Sequence, residues 1–346
     1  MMLHRVRNCN SRGAGNGFGK SNDKGRKKMK RDSKALRTVD RIEVTTLVDN
    51  YVDVLLESTD LVTRPPRAKD GEIPLNTFLA EHGLSLLVKV CQGEEKHTVL
   101  FDTGYTGIAL FHNAELLGID LKEIEALVLS HAHMDHTGAV NVFLDRIGRS
   151  VPAVLHPEAF HYPRFLVLKS GERQRFPRTL VRAELERRNV EILESKAPLL
   201  IAGGAILVSG EVERTTDFEK GIPYAYAEKN GEMVKDAFLD DQALILHLKN
   251  KGLVVISGCS HSGIVNTVLH SRKTTGVERV YAVLGGFHLS GPTYEPILGD
   301  TIQALKQIDP KVLVPMHCTG WSTINLLAGA FPSSAILNSV GSKFTL

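Results

Sequence analysis

Six residues, His131-Ala132-His133-Met134-Asp135-His136, place three imidazoles and a carboxylate within one short turn of chain. Nitrogen and oxygen donors so close together form a ready coordination shell for zinc, iron or manganese. The run follows the apolar, strand-like Ala126–Ser130 and precedes Thr137-Gly138-Ala139-Val140, which reads as the start of a helix. It therefore falls at a strand-to-helix turn. Fourteen histidines spread over 346 residues would seldom put three in a six-residue window with Asp among them. Three further clusters follow the same grammar. Leu253–Ser257 leads into Gly258-Cys259-Ser260-His261-Ser262-Gly263, Val280–Leu284 into Gly285-Gly286-Phe287-His288-Leu289, and Val312–Met316 into His317-Cys318-Thr319-Gly320. A single histidine at a strand end is ordinarily a hydrogen-bonded structural residue. Beside the HxHxDH turn, His261 and His317 read as further ligands, and Cys259 and His288 as metal- or substrate-facing groups.

The elements that carry these loops are legible as apolar runs. Ile42–Val48 alternates and is rich in β-branched residues, and Leu84–Val90 and Thr98–Phe101 read as a hairpin through a polar Gln92–Lys96 turn. Ile108–Leu117 has helical spacing. Further strands are expected at Ala205–Val208, Gln242–Leu248, Leu253–Ser257, Val280–Leu284 and Val312–Met316, with helices over Ile264–Leu269, Thr301–Ile308 and Ile324–Ala330. Two packed sheets with helices outside would bury such runs on both faces. Residues 57–81 read as a long irregular loop. Residues 150–200, with Arg173-Gln-Arg-Phe-Pro-Arg178, read as a polar, basic insertion near the mouth of a site.

Bulk composition narrows the class. The chain is 42% hydrophobic and 23% charged, ordinary for a globular protein. No apolar run approaches the eighteen or so residues that span a bilayer, so no membrane partner is expected, and the N-terminus shows no apolar signal segment. Four scattered cysteines imply no disulfide framework, which points to a reducing, cytoplasmic setting. The formal charge of +3 is unevenly spread. Residues 1–37 carry twelve Lys or Arg against Asp23 and Asp32, a surplus of ten, which leaves the other 309 residues at −7. Residues 1–40 therefore read as a disordered basic tail. Lys24–Arg31 could touch nucleic acid, but it lacks interleaved aromatics, so a solvated tail is expected rather than a nucleic-acid partner.

Phe101-Asp102-Thr103-Gly104, then Ser130-His131-Ala132-His133-Met134-Asp135-His136-Thr137-Gly138, then His317 together resemble the metallo-β-lactamase superfamily. The resemblance covers most of the chain from Ile42 and implies an α/β fold of four αββα layers over residues 41–346. It implies that His131 and His133 bind one divalent metal, Asp135 and His136 a second, and that His317 completes the second site. Asp102 would be the buried carboxylate that orients the ligand loop through hydrogen bonds. Zinc is the foremost ion, with manganese, iron or magnesium compatible. Two departures stand out. Gly258-Cys259 occupies the place of a bridging Asp, and no GHT-like third histidine lies between residues 150 and 240, where only His156 and His161 are available. His261 is taken as the missing third ligand.

Thr46-Leu-Val-Asp-Asn50, Gly258–Asn266, Gly285–Leu289 and Met316–Gly320 are similar to one subgroup. It holds the dihydropterin-ribofuranosylaminobenzene-phosphate synthases of methanopterin biosynthesis beside members known only as metal-dependent hydrolases. The resemblance thus implies pterin–arylamine condensation with diphosphate release. The alternative is hydrolysis of a phosphoester, thioester or related small molecule by a metal-bound water whose proton Asp135 accepts. Asp135 and His261 are the residues expected to take part in the chemistry, and a small, phosphorylated substrate is the expected partner. A metal-binding regulator without catalysis is the third reading. The sequence leaves the oligomeric state open.

Overall fold

The structure is a computed structural model and describes residues 35–346. Most of the expected tail lies outside the described residues. Strand pairing begins at Thr38–Val39, three residues before the expected start at Arg41, because these two residues run parallel to His247–Leu248.

Two large sheets dominate the described residues. One has eight strands in the order Ile192–Glu194, Ala153–Leu155, Ala126–Val128, Glu95–Phe101, Ser85–Gln92, Arg41–Val48, Lys343–Thr345, Val62–Thr63. The other has seven, running from Leu199–Ile201 through Ile206–Val208, Ala243–Leu248, Gly252–Ser257 and Val280–Gly286 to Val312–Met316, with Thr38–Val39 alongside. Strand side chains alternate between faces, and here both faces are apolar. Leu244, Leu246 and Leu248 face a core shared with Ile42, Val44, Leu86 and Val88 of the other sheet. Ala243 and Ile245, one residue out of phase, face the helices Ile264–Thr275 and Leu298–Ile308. Leu87, Leu100 and Leu127 likewise face Ile108–Leu116 and Val140–Ile147. Helices outside, two sheets within: the architecture is the four-layer αββα sandwich.

Sheet topology then positions the chemistry. Gly252–Ser257, Val280–Gly286 and Val312–Met316 pair in parallel, so the loops that follow them emerge at one sheet edge. Glu95–Phe101 and Ala126–Val128 are also parallel, which brings Asp102 and Ser130 out side by side. A smaller four-stranded sheet joins Arg164–Val167 and Arg173–Arg175 to a hairpin of Ala225–Lys229 and Glu232–Lys235. The polar, exposed Arg173-Gln-Arg175 carries no apolar alternation, so this sheet is invisible to pattern reading. Element ends also shift. The hairpin turn tightens to Gly93-Glu94, and the helices expected from Ile264, Thr301 and Ile324 run Ile264–Thr275, Leu298–Ile308 and Trp321–Ala330.

Candidate metal centre

The histidines fall into two adjoining sets. In the first, His261 Nε2 lies 3.1 Å from His131 Nε2 and 3.2 Å from His133 Nδ1. In the second, His317 Nε2 lies 3.2 Å from His136 Nε2 and 3.1 Å from Asp135 Oδ2. All six residues are buried. Cys259 Sγ stands 3.1 Å from His136 Nε2, and its thiol groups with His131 and His136, with His261 and His288, and with His317 and Cys318. His288 packs its ring 4.4 Å from that of His261. His156 is buried but lies 3.6 Å from Glu211, and neither it nor His161 joins any ligand cluster among the described residues.

Hydrogen bonds set which nitrogen of each ring faces inward. Ser130 Oγ donates to Asp102 Oδ2 (2.6 Å) and accepts from His131 Nδ1–H (2.9 Å). His136 Nδ1–H donates to the same Asp102 oxygen at 2.6 Å, and His317 Nδ1–H to Asn50 Oδ1 at 3.0 Å. Each of these rings thus turns its Nε2 toward the cluster, the nitrogen that a metal ligand presents. Asp102 adopts its bonds from a left-handed backbone, φ 60°, as do Ser260, His288 and His317 at the other strand ends. Non-glycine residues hold such φ only where surrounding structure enforces it. Gly258 is required for a different reason: a Cβ there would meet Ser130 Oγ at 2.1 Å, so only glycine lets Cys259 approach.

Burial sets the charges. It drives His131 and His261 well below the ordinary histidine range, and His133 down to about 3, so these rings are neutral donors. Asp135 is pushed up by burial, yet His136, His317 and His133 outweigh that and hold it ionised. For His317 burial is likewise outweighed, by Cys318, Asp135 and Asp49, which raise it to about 9. Burial lifts the Cys259 thiol. The second set therefore favours positive charge, and the first offers uncharged lone pairs.

That chemistry fits divalent ions. Nitrogens about 2.0–2.1 Å from a tetrahedral zinc lie about 3.3 Å apart, close to the contacts of 3.1 and 3.2 Å in both sets. In the first set, whose rings are neutral, lone pairs that converge at such distances repel one another unless a cation sits among them.

Several contributors are not singled out individually by the sequence, although Arg164 and Phe176 lie in the 150–200 segment expected near the mouth of a site. Phe176 stacks on His133 with ring centroids 4.6 Å apart, and Phe238 stacks on His261 at 4.7 Å. Arg164 is buried against Asp240, whose Oδ2 accepts from the Ala132 N–H of the ligand loop at 2.9 Å. His82, on an irregular segment, brings Nε2 to 3.5 Å from Asp135 Oδ2. Asn50 Nδ2 donates to His82 Nδ1, which leaves the proton on Nε2.

Comparison with known proteins shows the family. The family model of the metallo-beta-lactamase superfamily matches residues 80–217. The chain is 35% identical, over 73% of its own length and 86% of the relative's, to the 7,8-dihydropterin-6-methyl-4-(beta-D-ribofuranosyl)-aminobenzene-5'-phosphate synthase of Methanocaldococcus jannaschii. It is 31% identical to an uncharacterized protein of the same organism, over 72% of this chain and 89% of that one. The crystal structure of a metal-dependent hydrolase of the beta-lactamase superfamily superposes with a TM-score of 0.66 at 26% identity, covering 88% of this chain and 98% of the other. With ligand sets, sandwich and relatives in agreement, the chain belongs to the metallo-beta-lactamase superfamily, in the subgroup that resembles the dihydropterin-ribofuranosylaminobenzene-phosphate synthase.

Proposed function

We propose that this protein is a metal-dependent enzyme that joins a dihydropterin-methyl diphosphate to a phosphoribosyl arylamine. The observation that supports it is the pairing of two ligand sets at one sheet edge in a chain 35% identical to such a synthase. In this reading His131, His133 and His261 hold one divalent ion and Asp135, His136 and His317 a second, with Cys259 between them. Ions bound there, zinc foremost, would neutralise the charge of a diphosphate leaving group. The new C–N bond forms from the arylamine nitrogen to the pterin methylene carbon as the C–O bond to diphosphate breaks. Its electron pair leaves with the diphosphate, and the nitrogen sheds a proton. Asp102, Ser130 and Asn50 keep the ligand rings in the productive tautomer. His82 offers an Nε2–H at the entrance, where an anionic oxygen of the substrate would accept it. Among the described residues no helix is long and apolar enough to cross a membrane, and the free thiols of Cys259 and Cys318 suit a reducing, cytoplasmic compartment.

Hydrolysis is the second reading, favoured by the likeness to the metal-dependent hydrolase structure; in it Asp135 would accept the proton of an attacking water. Incubation with both proposed substrates and zinc or manganese separates the two. Diphosphate release that requires the arylamine supports condensation. Release without the arylamine supports hydrolysis, and no release with any divalent metal removes the condensation reading.

A further inference from the structure

Beside the first histidine set lies a cavity of about 150 Å³ whose inner wall is His261 itself. Phe287 and Leu289 are buried in its walls, and Phe218, Pro223 and Ile297 add apolar surface beside the polar Lys220, Ser260 and Thr293. Glu219 also lines it, but both its oxygens are committed to the helix that begins at Ile264, accepting from Val265 N–H at 2.9 Å and Asn266 N–H at 2.7 Å. Two other polar atoms have no such commitment. Tyr294 is only 7% exposed and its hydroxyl has no hydrogen-bond partner, nor does the buried Nδ1 of His288. The two rings stand edge to face, with centroids 5.2 Å apart, and His288 in turn packs against His261. Buried polar groups are nearly always paired, so two unpaired ones on residues that line one cavity point to a ligand's polar end.

Size and chemistry select that ligand. A cavity of about this volume accepts a single benzene-sized ring, and the apolar walls suit its faces. At the polar end, an imidazole nitrogen and a phenolic oxygen can both accept hydrogen bonds, which matches the two N–H bonds of a primary amine. We propose that this cavity is the binding site for the ring of an aromatic amine, with its nitrogen held between His288 Nδ1 and Tyr294 Oη beside His261. The inference rests on the condensation reading, since it assigns the seat of the arylamine.

The test measures binding of aniline and of toluene to the purified, metal-loaded protein by saturation-transfer NMR, in parallel with diphosphate release. Tyr294→Phe should weaken aniline several-fold, up to about tenfold, and leave toluene unchanged, because only one neutral hydrogen bond is lost. Ile297→Trp, which fills the cavity, should abolish both. Aniline binding that neither variant disturbs overturns the assignment, and so does equal weakening of aniline and toluene by Tyr294→Phe. The two proposals fail separately. Cavity-dependent aniline binding without condensation removes only the reaction, whereas diphosphate release undiminished in Ile297→Trp removes only the cavity.

Discussion

The two ligand sets are held by different forces. In the second, the outward nitrogens of His136 and His317 are tied to oxygen acceptors on Asp102 and Asn50, and Asp49 accepts from the His317 backbone N–H at 2.9 Å. In the first, His131 Nδ1 is tied to Ser130 Oγ, but the outward nitrogens of His133 and His261 have no partner among the described residues. Phe176 and Phe238 stack on those rings instead, and Arg164 steadies the loop through Asp240. One set has all its rings oriented by hydrogen bonds and charge, whereas the other has two of its three rings oriented by aromatic packing. The contrast teaches that two neighbouring candidate sites in one cleft can depend on different supports and so respond to unrelated substitutions.

The sharpest way to break the comparison is to remove one ligand from each side. His133→Ala and His136→Ala should each lose about one metal equivalent by elemental analysis and cut turnover by more than about a hundredfold, beyond what loss of an orienting partner costs. Unchanged metal content and turnover in His133→Ala would remove the metal-centre model. Next in size is Asp102→Asn, which leaves the fold's volume intact but weakens the acceptor shared by Ser130 and His136. Metal affinity should fall about 10–100-fold, chiefly for the second ion, as read by competition with a chelator. A loss confined to the first ion would contradict the division. Phe238→Leu should act the other way. Losing an aromatic stack is worth about 0.5–1.5 kcal/mol, so the first ion's affinity should drop a few-fold while the second's holds.

Acid and base titrations of the metal-free protein give the smallest effects, and they have opposite signs. His133 is held by burial near 3, below its unfolded value of 6.5, so the unfolded chain binds more protons between those values. Stability should therefore fall as pH drops from about 6.5 toward 3. Glu219 is raised by burial to about 7, above its ordinary 4.5, so its contribution is present below 4.5 and fades as pH rises through 7. Chemical denaturation across this range should show both slopes, and Glu219→Gln should flatten only the second.

Much of this asymmetry could not be read in advance. His131, His133, Asp135 and His136 share one turn, and His261 and His317 sit at the ends of apolar strands, so motif and periodicity both reported them. The sandwich was legible for the same reason, since runs such as Leu253–Ser257 are apolar on both faces. His82, Phe176 and Phe238 stand singly in irregular or exposed stretches, and Arg164 opens a short strand; all four reach the site only through contacts across distant parts of the chain. The small sheet that carries Arg164 escaped because its partner strand, Arg173–Arg175, is wholly exposed. Its hairpin, Ala225–Lys235, is short and largely polar.

The position of Lys343–Thr345 bears on when the site can exist. This strand lies inside the eight-stranded sheet, between Arg41–Val48 and Val62–Thr63, and Arg64 donates to the Leu337 carbonyl and the Ser342 hydroxyl nearby. His317 joins its set through Asn50, two residues past the strand Arg41–Val48 that this closure locks. A chain emerging from the ribosome can form the HxHxDH turn early, but it cannot close the sheet or complete the second ligand set until residue 345 has been made. Assembly of the second set is thereby deferred until that strand exists, and a chain interrupted before it would carry these histidines without the pairing that locks their surroundings.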